Sequence, residues 1–195
     1  MRPSLGAAHV RLRPAAHAPP GRLRSPTMIV AVTFYTFVLA VHIAAIVIAF
    51  GVTFAYPVMY AVGIRAEPRS MPGLHRVQDS VGKFVISPFL GLALLAGVYL
   101  ASKLHTWSDF YVQWGIGVIV VLGALGGAFF APRERRLAEL AERDIAAAGG
   151  PSAVGEGFAF GDEYRSLRRL IFNVNVAANV LVLLTIYFMT AQTGA

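Results

Sequence analysis

His42 is the residue of this sequence with the strongest claim to a chemical role, because the stretch from Met28 to Ile64 around it has no charged residue. An ionisable side chain in the middle of an apolar segment is costly to bury and usually has a function. Tyr35 and Tyr56 lie at one and two seven-residue steps from His42, which places the three on one side of a helix. We interpret them as a polar stripe that faces other helices.

Two roles for His42 stay open. In the first, the imidazole binds haem b or a metal ion, or relays a proton. In the second, a neutral imidazole is hydrogen-bonded to a tyrosine, threonine or asparagine of a neighbouring helix. His75 and His105 are not expected at the depth of His42, so a haem would need a second subunit or another axial ligand such as Met59.

Three asparagines, Asn173, Asn175 and Asn179, lie in the last apolar segment, and the last two share a helix face. Uncharged amides join membrane helices through hydrogen bonds that contribute about 0.6 to 2 kcal/mol each. We therefore expect helix packing as their main role, with the lining of a polar path as the alternative.

Small residues recur at four-residue spacing on two apolar segments, where they let helix backbones approach closely. The two stripes are Ala93, Gly97 and Ala101, and Gly123, Gly127 and Ala131. Packing inside one bundle is the favoured interpretation of both stripes, and a homodimer is the alternative.

Four apolar segments must position these residues, and about 20 apolar residues suffice to span the hydrocarbon core of a bilayer. The predicted spans are residues 30–56, 84–102, 110–131 and 170–190. Leu137, Leu140 and Ile145 recur at helical spacing beyond the third span, which predicts that this helix continues outside the membrane. The sequence therefore predicts an all-α membrane protein, a four-transmembrane-helix bundle with a cytoplasmic extension of helix three.

Composition favours the same class, since 56% of the residues are hydrophobic and 14% are charged. The chain has no cysteine, which excludes disulfides, zinc–thiolate sites, iron–sulfur clusters and thiol nucleophiles. Phosphate-binding glycine loops, HExxH and Ser–His–Asp motifs are also absent from the sequence.

The formal charge of +7 is concentrated in residues 1–27, which hold five arginines and no acid. Residues 28–195, the predicted transmembrane domain, carry twelve basic and ten acidic side chains, so we expect a lipid bilayer and no nucleic acid as partner. We expect the basic leader, 1–27, to be disordered. The favoured explanation for it is a translation start at Met28, and a mitochondrial presequence or a signal peptide are the alternatives.

Lysine and arginine accumulate in the connectors after the first and third spans, whereas the second connector has Lys103 alone. Cytoplasmic connectors are enriched in these residues. We therefore expect a multi-pass protein of a bacterial inner membrane, with connectors one and three in the cytoplasm and both termini outside.

Residues 28–195 resemble a bacterial family of small four-helix membrane proteins described only as a domain of unknown function. The resemblance rests on FYTFVLAVHIAAIVIAFGVTFAYP, ISPFLGLALLAGVYLA, GAFFAPRERRLAEL and VLLTIYFM. More distantly, the helix-one histidine followed by Tyr56-Pro57 is similar to copper-resistance-type and HemJ-type membrane proteins. That similarity implies haem binding at His42, although this chain has Gln113-Trp114 where the oxidase-like members carry a lysine.

Three functions follow from these observations. The favoured one is a membrane protein of undetermined activity without enzymatic chemistry. The alternatives are a haem-binding redox protein that uses His42, and a small transporter or permease component. The last is disfavoured because the predicted spans contain no acidic residue.

Overall fold

The computed structural model describes the backbone of residues 26–191 and the side chains of residues 33–191. Within that range the chain has helices and no strand, which confirms the predicted all-α fold class. The leader, 1–27, lies outside the described residues except for Pro26 and Thr27, which begin the first helix. The α-helices are α1 (Pro26–Gly51), α2 (Tyr56–Ala66), α3 (Met71–Val81), α4 (Ser87–Leu104), α5 (Phe110–Ala124), α6 (Ala131–Ala147) and α7 (Asp162–Ala191).

Short irregular stretches join six of these helices into three longer runs. Val52–Phe54 forms a 3₁₀ turn between α1 and α2, and π-helical turns at Gly82–Ile86 and Leu125–Phe130 join α3 to α4 and α5 to α6. With α7, the described residues contain four runs long and apolar enough to cross a membrane: Thr33–Ala66, Pro68–Leu104, Phe110–Ala147 and Asp162–Ala191. The chain is a multi-pass membrane protein built as a four-helix bundle.

Prolines explain where the helices become irregular. A proline has no N–H for the carbonyl four residues earlier, so one helical hydrogen bond is lost. Three prolines follow the three irregular stretches: Pro57, Pro88 and Pro132. The carbonyls that lose their donor lie inside those stretches and belong to Thr53, Phe84 and Ala128.

The second helical run begins at Pro68, well before the predicted span at residue 84. The charges of this segment predict a connector, whereas the structure folds it as α3. Met71, His75 and Gln78 lie on one face of α3 at helical spacing and are buried. Their packing against α6 stabilises a helix whose overall composition is polar.

Two apolar cores lie one above the other along the bundle. The membrane core contains Ala49, Phe50, Leu90, Val118, Leu122 and Val182. The basal core lies where α3, α6 and the start of α7 pack together, and contains Tyr60, Met71, Leu137, Leu140, Ala141, Ile145, Val154, Phe160, Tyr164 and Ile171. The predicted extension of helix three, α6, is therefore part of a second packed layer. Two glycines with positive φ angles follow the end of α6, Gly149 at 99° and Gly150 at 97°.

The surface of the bundle differs between the two layers. Around the membrane core, large apolar side chains such as Val47 and Leu95 are 63% and 69% exposed, as expected for residues that contact lipid. Around the basal core, charged side chains pair across helices, and Glu163 accepts hydrogen bonds of 2.8 Å from both Arg136 and Arg143.

Candidate functional site

A cavity of about 140 Å³ lies at the centre of the bundle, where the membrane core meets the basal core. All four helical runs contribute to its wall, and so does each of the three irregular stretches, through Thr53, Gly82 and Gly126 among others. π-Helical turns are rare and frequently occur at functional sites. The breaks in regular hydrogen bonding therefore converge on one place in the molecule.

The wall of the cavity is mostly apolar, with polar groups at defined positions, which is the usual composition of a small-molecule site. Its aromatic residues are Phe50, Tyr56, Tyr60, Phe130 and Phe172. Its polar residues are Thr53, Gln78, Asp79, Lys83, Ser87, Glu134, Asn175 and Asn179.

Thr53 connects α7 to the break between α1 and α2. Because residue 57 is a proline, the Thr53 carbonyl has no helical donor. The side-chain amides of Asn175 and Asn179 each donate to this carbonyl at 3.3 Å. The Thr53 hydroxyl lies 2.7 Å from both Asn179 Oδ1 and the Phe50 carbonyl, and its single proton serves one of them at a time.

The polar face of α7 therefore meets the first helical run at Thr53 and not at His42. Asn175 and Asn179 are each 8% exposed and line the cavity. Asn173 is exposed on the outside of α7 and has no hydrogen bond within the described part of the chain. Asn173 thus has a different environment from Asn175 and Asn179.

His42 lies at the contact between α1 and α4, outside the residues that line the cavity. Its Nδ1 is 2.8 Å from the carbonyl oxygen of Ala93. A carbonyl only accepts, so Nδ1 carries the proton and donates it, and the partner is main chain, not a side chain. A Cβ added at Gly97 would lie 3.1 Å from His42 Cε1, so this glycine makes room for the ring.

The remaining predicted site residues divide between packing and the cavity. Tyr35 is half-buried on α1, and Tyr56, at the start of α2, lines the cavity. Ala93 and Ala101 are buried on α4, at 0% and 5% exposure. The second small-residue stripe, Gly123, Gly127 and Ala131, lies on the cavity wall.

A chain of buried polar side chains extends from the cavity into the basal core. Glu134 Oε1 is 2.6 Å from the Tyr60 hydroxyl, and Glu134 Oε2 is 2.7 Å from His75 Nδ1. His75 Nε2 is 2.9 Å from the Tyr164 hydroxyl, and the Tyr60 hydroxyl is also 2.6 Å from Gln78 Oε1. His75 and Tyr164 are fully buried and Glu134 is 6% exposed. An ionisable network of this kind at the end of a membrane bundle can hold and move a proton.

The outer end of this chain is closed and its inner end is on the cavity wall. Tyr164 is stacked by Phe160, with ring centroids 4.3 Å apart, inside the basal core. Tyr60, Gln78 and Glu134 line the cavity. The network therefore contacts the cavity at this end.

Three polar atoms of cavity-lining residues are buried and have no hydrogen-bond partner in the described part of the chain. They are the Tyr56 hydroxyl, Gln78 Nε2 and Asp79 Oδ1. Asp79 pairs through Oδ2 with Lys83, while Arg135 Nε lies 3.8 Å from Oδ1, too far for a hydrogen bond. Buried polar groups are nearly always satisfied, so these atoms are available to bind water or a ligand.

Sequence reasoning missed Glu134, His75 and Gln78 as members of one site. The signal for Glu134 was available, since the helical spacing of Leu137 and Ile145 extends back to residue 134 on the same face of α6. His75 was placed in a connector because the charges and prolines around it hide the buried face of α3.

Haem binding at His42 stays a prediction. The ring contacts α4 and is not among the residues that line the central cavity. Among the described residues, no three histidine or acidic side chains are grouped to hold a metal ion.

Comparison of the sequence and fold with protein-family models, curated proteins and solved structures gives no match.

Proposed function

We propose that this protein is a membrane carrier that binds a small solute in the central cavity. The observation that carries the proposal is that three buried polar atoms without partners, of Tyr56, Gln78 and Asp79, belong to residues on one cavity wall. They offer a donor, an acceptor and a hydroxyl that can act as either. A solute with hydrogen-bonding groups at one end and an apolar body matches this wall.

Glu134 removes the objection to a transporter that the sequence raised. No acidic residue lies within the predicted spans, but Glu134 is buried at the end of the third one and lines the cavity. Transporters use buried carboxyl groups to bind ions or protons along the substrate path. The cavity therefore combines a place for a solute with a group that can respond to it.

We further propose that the protein lies in a bacterial inner membrane with its basal core in the cytoplasm. The support is the accumulation of arginine in the segments that build this core, including Arg133, Arg135, Arg136, Arg168 and Arg169. The chain has no cysteine, so single cysteines report orientation without background. Ser152→Cys, beyond α6, should react only from the cytoplasmic side, and Ser108→Cys, between α4 and α5, only from the other. The reverse pattern would refute this orientation.

Solute binding is tested by thermal unfolding of the purified protein in detergent with a panel of small metabolites. A bound solute stabilises the folded state, by about 2.7 kcal/mol at a hundred times its Kd. A leucine at Gly127 would fill the cavity, since nothing lies within 4 Å of its added Cβ. Gly117→Leu is the matched control, because Gly117 also has nothing within 4 Å and does not line the cavity.

The proposal predicts that at least one solute class raises the midpoint of wild type and Gly117→Leu but not of Gly127→Leu. Equal shifts in all three proteins would show that solutes bind elsewhere. Failure of every solute, with unaltered stability of Gly127→Leu, would show that the cavity is not a solute site.

A further inference from the structure

We propose that the cavity binds a small organic cation in exchange for a proton of Glu134. This inference rests on the proposed carrier function and specifies its substrate class. It follows from the chemistry of the cavity wall and from the number of protons available to the hydrogen bonds around Tyr60.

The wall of the cavity suits a cation with an apolar body. Glu134 and Asp79 place two carboxyl groups on it, with side chains only 8% and 10% exposed. Five aromatic rings line the same space, and the face of an aromatic ring attracts cations. Lys83 pairs with Asp79 and also lines the cavity, and the side chains of Lys83 and Arg135 are 49% and 57% exposed.

The hydrogen bonds of Tyr60 are consistent with a proton on Glu134. Its hydroxyl oxygen is 2.6 Å from both Glu134 Oε1 and Gln78 Oε1, but a hydroxyl has one proton to donate. Both short contacts are hydrogen bonds if Glu134 is protonated: the carboxyl O–H donates to Tyr60, and Tyr60 donates to Gln78 Oε1. Glu134 Oε2 then accepts from His75 Nδ1, and His75 Nε2 accepts from Tyr164. Each of these four contacts then has one donor and one acceptor, and Gln78 Nε2 is the donor that stays unpartnered.

Loss of that proton changes what the wall offers to a ligand. When Glu134 is ionised, Tyr60 donates to Glu134, and two oxygens face each other between Tyr60 and Gln78. The amide of Gln78 relieves this repulsion by turning over, so that Nε2 donates to Tyr60. The unpartnered atom of Gln78 is then an acceptor, whereas in the protonated state it is the donor Nε2.

The exchange balances in charge. The protonated wall has a neutral Glu134 and a free amide donor, which repels a cationic donor. The ionised wall has a carboxylate and a free amide acceptor, which bind it. One proton leaves Glu134 through the cavity for each cation that enters, and no bond other than O–H is broken.

Titratable and charged groups on the elements packed around Glu134 surround the cavity. Those that interact with Glu134 itself are Tyr56 and Tyr60 on α2, His75 on α3 and Tyr164 on α7. Asp79 and Lys83 line the same cavity, and Arg135 lies 3.8 Å from Asp79. Of these, His75 alone contacts the carboxyl group as a base. The proton count of the whole network is therefore the quantity to measure.

Benzamidinium, benzamide and benzoate are suitable probes, because they share one shape and differ in charge. Their binding to the purified full chain is measured by isothermal titration calorimetry over a pH series. Repeating the titration in buffers of unlike ionisation enthalpy counts the protons released. We expect benzamidinium to bind best, to bind more tightly as pH rises, and to release about one proton.

Variants assign the released proton. Glu134→Gln should weaken benzamidinium binding by about tenfold or more and abolish proton release, since it removes a buried charge partner. Glu139→Gln is the matched control, because Glu139 lies on the same helix, is exposed and pairs only with Arg136. The proton count on wild type tests the inference even if Glu134→Gln does not fold.

The outcomes separate this inference from the carrier proposal. Benzamide or benzoate binding as tightly as benzamidinium, or cation binding without proton release, would overturn the exchange and leave a solute site in the cavity. If Gly127→Leu binds none of the three probes, the probes of wild type bind in the cavity. No binding of benzamidinium to wild type would overturn the cation assignment, whereas the metabolite panel with Gly127→Leu decides the carrier proposal separately.

Discussion

Glu134 Oε2 and His75 Nδ1 lie 2.7 Å apart although 59 residues separate them in the chain. The contact joins α6 to α3 inside the basal core, where His75 is fully buried. A buried acid beside a buried base is stable only when both stay paired. This relationship therefore fixes the packing of the basal layer and places a carboxyl group on the cavity wall at the same time.

Removing one partner of this pair should be strongly destabilising. His75→Phe is expected to lower the free energy of unfolding by about 1 to 3 kcal/mol, because Glu134 Oε2 and the Tyr164 hydroxyl are left buried without this hydrogen-bond partner. The double variant His75→Phe/Glu134→Leu should recover part of that loss, since the carboxyl group that lost its partner is removed as well. Unfolding of the purified proteins in detergent measures both, and fully additive losses would contradict a direct coupling.

The amides of α7 should stabilise the bundle through the carbonyl that Pro57 leaves free. We expect Asn175→Ala and Asn179→Ala each to cost about 0.6 to 1.7 kcal/mol, the range of interhelical hydrogen bonds in membranes. The double variant should cost more than the sum, because either amide alone can still donate to Thr53. Asn173→Ala is the control and should be neutral, since Asn173 is exposed.

A double-mutant cycle with Pro57→Ala tests whether the amides stabilise the bundle by binding the carbonyl that Pro57 leaves free. That substitution restores an N–H that can reach the Thr53 carbonyl. In its background Asn175→Ala should cost less, and an unchanged cost would show that the amides act on something other than the freed carbonyl.

Two glycines of α4 should respond differently to the same substitution. Gly91 has nothing within 4 Å of an added Cβ, so Gly91→Ala should stabilise by about 0.5 to 1 kcal/mol through helix propensity. At Gly97 the added Cβ lies 3.1 Å from a His42 ring held by its bond to Ala93. Overpacking of about 1 to 3 kcal/mol should cancel or reverse the gain there. Thermal midpoints decide this, and equal gains at both positions would show that the ring is free to move.

His42 should behave as a packing residue. Protein purified from haem-sufficient cells is expected to show no Soret band, and His42→Gln should unfold close to wild type because glutamine keeps a donor for the Ala93 carbonyl. His42→Phe should lose about 1 kcal/mol, the usual net value of one hydrogen bond. A Soret band in wild type that disappears in His42→Gln would instead assign a haem to this residue.

The sequence predicts the class of this fold because long apolar segments have few structures open to them in a bilayer. It also identifies Asn175 and Asn179 as a polar face, since both lie on one side of α7. It does not predict that they donate to Thr53, because that depends on how far α7 is rotated and shifted against α1. The sequence shows that Pro57 interrupts the first helix. It does not show which residues of another helix bind the carbonyl that Pro57 leaves free.

The basal core was hidden for a related reason. Buried residues of α3 and α6 alternate with many charged ones, so hydropathy places both outside the membrane and indicates nothing about their contact. Glu134 lies at the start of α6 among several arginines, and the sequence does not distinguish it from an exposed charge. Only the packing of α3 against α6 shows that its carboxyl group is enclosed.

Infrared spectroscopy can detect directly the proton that we place on Glu134 at the cavity wall. Difference spectra across a pH series should contain the band of a buried carboxylic acid, present in wild type and in Glu139→Gln and absent in Glu134→Gln. Addition of benzamidinium should remove the band as the acid ionises. If the spectra of wild type and Glu134→Gln are identical at every pH, Glu134 does not hold the proton.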